Sequence, residues 1–349
     1  MNKKRIKRTV ISCLAVCLLL TVLGCGRDSD TANPNQDKVT QIVLTTGFDK
    51  DEVFRIGKSS CDVNEFMVYL TNIQNRYEEV YGNQIWSVSN NDVSMESRVK
   101  DTVAARIAQV KTMNLLAEEY QVVLTEDEEE QVTDAAKEYY NSLTEAEIQA
   151  MGITLEQIVK MYREYLITHK VYIYIIRDIN PEISDDEARN VTVNWIFLRS
   201  PQEDAQKEAL AEEIIKNLNE GADFYTLASE YSDDSVITHT FGKGVVDIHV
   251  EECAFNLSMN EISEAVKGVD GYYVLQCINT LDRQETDANK EKIVTQRKKE
   301  AFNQVYGTFA EGQVRQLNRE VWDSIEMIHD DRVATSSFFD IYEKYFPEE

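Results

Sequence analysis

The sequence VTVNWIFL at residues 191–198 and the sequence GYYVL at residues 271–275 bound the stretch that decides the fold. Both runs are rich in β-branched and aromatic residues, a composition typical of buried strands. The chain that leads up to Gly221 is rich in Glu, Ala and Lys, which favours a helix. Residues 191–281 therefore predict one small α/β module that begins and ends with a strand.

A second, shorter helix is predicted directly after the first. Gly221 can adopt the positive φ that ends a helix, and Asp223 is a suitable N-cap for the next one. Phe224, Leu227 and Ala228 then follow on one face at helical spacing, which by itself indicates a packed core. The later motifs of the module are YSDD at residues 231–234, FGKG at 241–244, AFNL at 254–257 and EIS at 261–263.

The order of these motifs resembles the parvulin-type peptidyl-prolyl isomerase domain from end to end. That family has two facing histidines on neighbouring strands, a Cys or Asp beside them, and Met and Phe side chains under the proline ring of the substrate. Matching of the motifs places the first histidine position at Trp195 and the second at Tyr273. Asp234 matches the Cys or Asp position. The resemblance therefore implies the family's fold, while both histidines are replaced.

The same resemblance assigns substrate binding to three apolar side chains. Phe241 matches an aromatic residue of the proline pocket, whereas Val246 and Val250 stand where larger Met and Phe side chains are usual. The loop at residues 235–240 is short and lacks the Gly-Gly-Asp type of segment common in the family. We therefore expect a shallower pocket with an altered polar centre. His239 lies in this loop and is either a surface histidine or a displaced polar group of the pocket.

Isomerisation of an X-Pro bond is a rotation about an amide across a barrier of about 18 to 20 kcal/mol, without a covalent bond to break. A catalyst can hold the proline ring in an apolar pocket, remove water and place hydrogen-bonding groups that favour the twisted amide. Trp195 can donate through its indole N–H and Tyr273 through its phenol. Asp234, Tyr273 and Trp195 are thus the candidate catalytic residues, with an activity that we expect to be weak or absent.

Residues 1–24 predict a bacterial lipoprotein signal peptide. Basic residues between Lys3 and Arg8 precede an apolar stretch at residues 9–23, and Gly24 then precedes Cys25. These features describe an export signal that is too short for a stable membrane span. The cysteine after a small residue is similar to type II lipoprotein signals, in which cleavage leaves Cys25 for lipid attachment. A cleaved signal with an incidental cysteine and an uncleaved anchor are the alternatives.

The charge of the chain limits its partners. The sequence has 36 basic and 62 acidic residues, a net charge of -26. Such a charge opposes binding to nucleic acid or to an anionic membrane surface. It suits basic or neutral polypeptide segments, although an acidic surface can also serve solubility alone.

The cysteines beyond Cys25 indicate no metal site. Cys61, Cys253 and Cys277 are an odd number, which gives no complete disulfide framework, and no Cys/His spacing indicates metal binding. A bridge between Cys253 and Cys277 stays open, but small core residues are the favoured interpretation. We predict no metal and no cofactor.

The remainder of the chain predicts helices. Residues 25–40 are polar and predict a flexible tether, and short strands near residues 42–44 and 53–56 come before the first helix. Residues 41–190 predict an N-terminal helical, chaperone-like domain, with one helix over about 155–176 even though its end has strand propensity. Capping patterns mark helix starts at Asp62, Thr125, Thr144, Thr154 and Ser184.

A C-terminal helical segment at residues 284–349, with a helix expected over about 285–323, is predicted to pack back on the N-terminal domain. The isomerase-like module, residues 191–283, is then inserted between the two. This arrangement resembles extracytoplasmic foldases of the PrsA and SurA type. The predicted fold class is α+β and mainly helical, with a small antiparallel sheet and surrounding helices in the module.

These features lead to two hypotheses for function. The first is a foldase on the extracytoplasmic face of a bacterial cell membrane, anchored through lipid on Cys25, that binds unfolded or newly exported polypeptides and isomerises X-Pro bonds. The second is a chaperone or scaffold whose module no longer catalyses. A solute-binding lipoprotein would share the signal, but the repeated strand-helix units with glycine-rich loops are missing. Homodimerisation is left open.

Overall fold

A computed structural model of the chain describes residues 47–90, 93–200 and 205–347. The predicted signal peptide, Cys25, the tether and the strand expected near residues 42–44 lie outside these residues. The described parts form a mainly helical α+β fold, as the sequence predicts. The helices are α1 (Val63–Tyr81), α2 (Met95–Tyr120), α3 (Glu126–Ser142), α4 (Glu145–Met151), α5 (Leu155–Ile176), α6 (Asp185–Ala188), α7 (Ala205–Asn219), α8 (Phe224–Tyr231), α9 (Ile248–Asn256), α10 (Arg283–Glu311), α11 (Arg319–Ser324) and α12 (Phe338–Tyr345). The strands are β1 (Glu52–Ile56), β2 (Ser59–Asp62), β3 (Ser89–Asn90), β4 (Val93–Ser94), β5 (Asn190–Arg199), β6 (Thr238–Gly242), β7 (Val266–Lys267), β8 (Gly271–Asn279) and β9 (Arg315–Leu317).

The N-terminal helices begin where the sequence places their caps. The Asp62 side chain accepts a hydrogen bond from the backbone N–H of Glu65 at 2.8 Å and so starts α1. Reciprocal capping boxes start α3, α4 and α5 at Thr125, Thr144 and Thr154. Each box satisfies backbone N–H groups that have no partner inside the helix. These four predicted helix starts are confirmed.

The end of α5 is helical although its sequence has strand propensity. Val171 and Ile176 are buried in a cluster with Met113 and Leu116 of α2 and with Phe302 of α10. Packing between α2 and α5 therefore decides the structure of this run, because tertiary burial outweighs a weak local preference.

The C-terminal segment differs from the prediction at one point. The helix expected over residues 285–323 ends at Glu311, and β9 follows it. β9 pairs antiparallel with β1, with Phe54 opposite Leu317, while β2 pairs with the other edge of β1. Since Val53 and Phe54 are buried, the backbone groups of β1 require partners on both sides. A short strand therefore interrupts the helix.

The last helix completes the core of the helical domain. Phe338 of α12 is fully buried, and its ring lies 4.5 Å from that of Tyr162, 5.2 Å from Tyr139 and 5.5 Å from Tyr69. The Tyr162 hydroxyl also donates to the backbone carbonyl of Phe338 at 2.7 Å. The C-terminal segment thus packs on α1, α3 and α5.

The isomerase-like module is a four-stranded antiparallel sheet in the order β6-β5-β8-β7. Side chains alternate between the two faces of a strand. Ile196 and Leu198 of β5 pack against α7 and α8 on one face, whereas Val191 and Val193 pack against α9 on the other. Trp195 therefore belongs to the face that α9 covers.

Among the described residues, none of the helices combines the length and the apolar composition that a membrane span needs. The thiols of Cys61, Cys253 and Cys277 are free, so the bridge left open between Cys253 and Cys277 is not formed. The described ranges also contain no group of three or more His, Cys, Asp or Glu side chains arranged to hold a metal ion.

Candidate functional site

The candidate catalytic residues converge on one face of the module sheet. The Trp195 ring on β5 lies 5.6 Å from the Tyr273 ring on β8, in an edge-on arrangement, and 6.1 Å from the Phe241 ring on β6. The indole Nε1–H of Trp195 donates to Asp234 Oδ2 at 2.9 Å. Three neighbouring strands and the loop after α8 thus bring together four residues that the sequence places at the site.

The carboxylate of Asp234 is occupied by donors from the module itself. Its Oδ1 accepts a hydrogen bond from the backbone N–H of Val236 at 2.9 Å, and its Oδ2 accepts the bond from Trp195. His239 Nε2 lies 3.4 Å from the same Oδ2. Burial acts to raise the pKa of Asp234, but the bonds from Val236 and Trp195, with the nearby His239, lower it overall. The ionised carboxylate is therefore stabilised as an acceptor.

His239 belongs to the centre of this site. Its ring stacks on the Trp195 indole with 3.5 Å between centroids and 21° between planes. Its Nε2 lies 2.8 Å from the backbone carbonyl oxygen of Val236, and its side chain is only 20% exposed. Of the two interpretations of the sequence, the geometry supports the displaced polar group. Side chains alternate between the two faces along β6, so the sequence could have placed His239 on the same face as Phe241.

Tyr273 contributes a neutral phenol to the site. Its ring stacks on that of Phe197, the residue opposite it on β5, at 4.7 Å. Burial raises the pKa of Tyr273, and the carboxylates of Asp270, Asp247 and Asp234 raise it further. The phenol therefore keeps its proton at neutral pH and can donate a hydrogen bond.

The residues expected to bind proline differ in exposure. Phe241 and Val250 are 4% and 1% exposed and belong to the core between the sheet and α9. Val246, Trp195 and Tyr273 are partly exposed and border that core. A proline ring can therefore contact the outer three side chains, while the inner two support them from below.

An open groove lies on another side of α9. It has a volume of about 730 Å³ and runs between α9 and residues 261–267. None of the six residues assigned to the site lines it. Its shape depends on how α9 packs beside β7, for which the sequence carries no local signal. The lining side chains include His249, Cys253, Leu257, Ile262 and Val266.

Comparison with known proteins identifies the module. Residues 181–281 match the family model of the PPIC-type PPIase domain. The foldase protein PrsA of Caldanaerobacter subterraneus is 25% identical over 206 residues, which are 56% of this chain and 62% of that protein. The foldase protein PrsA of Halalkalibacterium halodurans is 27% identical over 222 residues, which are 59% of this chain and 66% of that protein. The chain thus spans less than two thirds of the length of either relative.

Among solved structures, the peptidylprolyl isomerase (PrsA) from Bacillus cereus is similar over 73% of this chain and 97% of that chain, at 18% identity and a TM-score of 0.35. The matched residues 181–281 include the strands β5, β6, β7 and β8 with all of the candidate site residues. The chain therefore carries a PPIC-type peptidyl-prolyl isomerase domain and is similar to PrsA foldases.

Proposed function

We propose that this protein is a lipid-anchored foldase on the extracytoplasmic face of a bacterial membrane, which binds unfolded exported polypeptides and isomerises X-Pro bonds weakly or not at all. In this proposal residues 41–190 and 284–349 form the chaperone domain, and residues 191–283 form the inserted module. The domain match and the similarity to PrsA foldases support polypeptide clients.

The proposal of weak catalysis rests on the arrangement of Trp195, Asp234 and His239. Both oxygens of the Asp234 carboxylate already accept hydrogen bonds from Val236 and Trp195, and the His239 ring is stacked on the Trp195 indole. To interact with a twisting amide, Asp234 would have to give up these internal hydrogen bonds, at a cost of about 1 to 3 kcal/mol. The centre therefore maintains the shape of the module.

The partly exposed aromatic rings nevertheless suit binding. Trp195 and Tyr273 present apolar faces, and the Tyr273 phenol adds a hydrogen-bond donor, so the two side chains suit a proline-containing segment. A site that binds the planar and the twisted amide equally well holds the ligand without accelerating its isomerisation. This geometry supports binding without rapid turnover.

The helical domain offers a second contact surface for clients. At the end of α1, Tyr77 lies 5.9 Å from Tyr81 and 6.1 Å from Trp86, measured between ring centroids. Tyr81 is 55% exposed and Val88 is 51% exposed. Exposed apolar side chains beside aromatic rings are typical of protein-binding surfaces. The acidic net charge of the chain favours basic or neutral segments there.

A refolding assay with two clients tests the proposal. One client refolds at a rate limited by X-Pro isomerisation, which takes tens to hundreds of seconds without a catalyst, and the other loses yield to aggregation. We expect the protein to raise the yield of the second client and to leave the rate of the first within about twofold of the uncatalysed value. A strong acceleration of the first client would assign efficient isomerase activity instead.

The anchor is supported by the sequence around Cys25. The basic, apolar and small residues before this cysteine give the order of an export signal, and the thiol is placed for lipid attachment. We expect Cys25→Ala to release the exported protein from the membrane fraction. Unchanged membrane retention of Cys25→Ala would contradict lipidation at this residue.

A further inference from the structure

Outside the isomerase domain, three ionisable side chains meet in the core of the helical domain. Lys111 of α2 is fully buried, and its Nζ lies 2.8 Å from the carboxylate of Glu65 on α1 and 2.6 Å from that of Glu164 on α5. The Glu65 side chain is 4% exposed and that of Glu164 is 16% exposed. One ammonium and two carboxylates thus join three helices.

The charges of this cluster do not balance when both carboxylates are ionised. Two carboxylates around one ammonium leave a net negative charge among apolar neighbours, where an uncompensated charge is costly. Within the described residues, the Tyr69 hydroxyl is also buried without a hydrogen-bond partner, one turn of α1 after Glu65. A proton on Glu65 would remove the net charge and give the carboxyl a hydrogen-bond donor.

In the described part of the chain, a second and more exposed cation, Lys160, lies near the cluster. Lys160 Nζ lies 3.9 Å from Glu164 Oε1, but its side chain is 53% exposed, so water and salt weaken its effect. Arg106 lies over the rings of Tyr165 and Phe339. The other titratable groups near the cluster are Cys61 and Asp62 of β2 and Tyr69 of α1. None of these three groups is a cation at neutral pH.

We propose that Glu65, Lys111 and Glu164 form a buried proton site through which the helical domain responds to the pH of its surroundings. Burial is the main reason that the pKa of Glu65 rises from 4.5 to about 7, with Lys111 opposing the rise and Glu164 adding to it. The folded state then holds a proton that the unfolded state releases. Stability from this proton is fully present below pH 4.5 and is lost as the pH rises through about 7. The helical domain therefore loses stability as the pH rises from 4.5 to about 7.

Proton release on unfolding of the full chain tests this site. Unfolding at about pH 6 should release about one proton more from the wild type than from Glu65→Gln, because glutamine keeps the shape and cannot ionise. The thermal midpoint of the wild type should also fall more between about pH 6 and pH 8 than that of the variant. Glu156→Gln, an exposed change in the first turn of α5, is the matched control and should behave like the wild type.

Equal proton release from the wild type and Glu65→Gln would overturn the proposal. If Glu65→Gln does not fold, infrared spectra of the wild type give a second measurement. The carbonyl band of a protonated carboxylic acid should be present at about pH 6 and lost by about pH 8. Absence of this band at the lower pH would also overturn the proposal.

Discussion

At the scale of single residues, the replacement of an imidazole by an indole changes what the isomerase centre can do. An imidazole can donate and accept hydrogen bonds, whereas an indole can only donate. Trp195 donates its one N–H to Asp234. No group at this position can therefore both donate and accept a hydrogen bond. His239 supplies an imidazole from β6, but its ring is stacked on Trp195 and its Nε2 lies against Val236.

Asp234→Ala should destabilise the isomerase domain. The change leaves the indole N–H of Trp195 and the backbone N–H of Val236 without their acceptor, at a cost of about 1 to 3 kcal/mol in the free energy of unfolding. Urea unfolding at neutral pH measures this cost, with the exposed Glu264→Ala as control. The pKa of Asp234 is lowered, so its contribution in the wild type is lost as the pH falls from 3.8 through that lower value. Unchanged stability would show that Asp234 does not hold the centre together.

At the scale of elements, the starts of helices were predictable because a cap is local. Thr125 and Thr154 sit three residues from the side chains that complete their boxes, so a short window of sequence contains the whole signal. β9 was missed because its partner, β1, lies more than 250 residues away in the sequence. A strand of three residues has too little periodicity of its own to be recognised.

In the candidate site, too, some features were predictable from local sequence and others depend on how distant parts of the chain pair. Motif matching brought Trp195, Asp234, Phe241 and Tyr273 to one face of the sheet, and the structure places them there. The stacking of His239 depends on the register between β5 and β6, which the sequence alone leaves undetermined. The burial of the substrate-pocket side chains Phe241 and Val250 likewise depends on how α9 packs against the sheet.

The docking of α12 gives a prediction at this scale. Phe338→Ala removes a ring that contacts Tyr69, Tyr139 and Tyr162, and we expect it to lower the free energy of unfolding of the helical domain by about 3 to 5 kcal/mol. Phe346→Ala, at the partly exposed end of the same segment, is the matched control and should cost less than half as much. Similar losses in denaturant unfolding for the two variants would contradict a core role for α12.

At the scale of the whole molecule, α10 links the isomerase domain to the helical domain. Near its start, the Thr286 hydroxyl accepts a hydrogen bond at 3.0 Å from the backbone N–H of Asn190, the first residue of β5 in the module sheet. Nearer its end, the ring of Phe302 lies 5.4 Å from that of Tyr172 on α5. One continuous helix therefore contacts both parts, so a client of the proposed foldase that binds one part would lie close to the other.

In the function proposed above, this arrangement would allow a foldase to keep an isomerase domain that catalyses weakly. The sheet, α9 and the aromatic face around Trp195 would offer a surface for proline-containing segments, while the helical domain adds exposed aromatic rings at the end of α1. Two weak contacts on one chain raise the effective concentration of a client at both. Client binding then needs no rapid isomerisation.

In the function proposed above, the isomerase domain binds proline-containing segments without accelerating their isomerisation. Exchange NMR of a short peptide with one X-Pro bond, recorded with the unlipidated Cys25→Ala chain, measures binding and cis-trans exchange in one sample. We predict that the peptide signals broaden or shift on addition of the protein, while the exchange rate stays at the uncatalysed value, with a time constant of about 10 to 100 s. Exchange cross-peaks that grow in within about a second would contradict the claim and show an active isomerase.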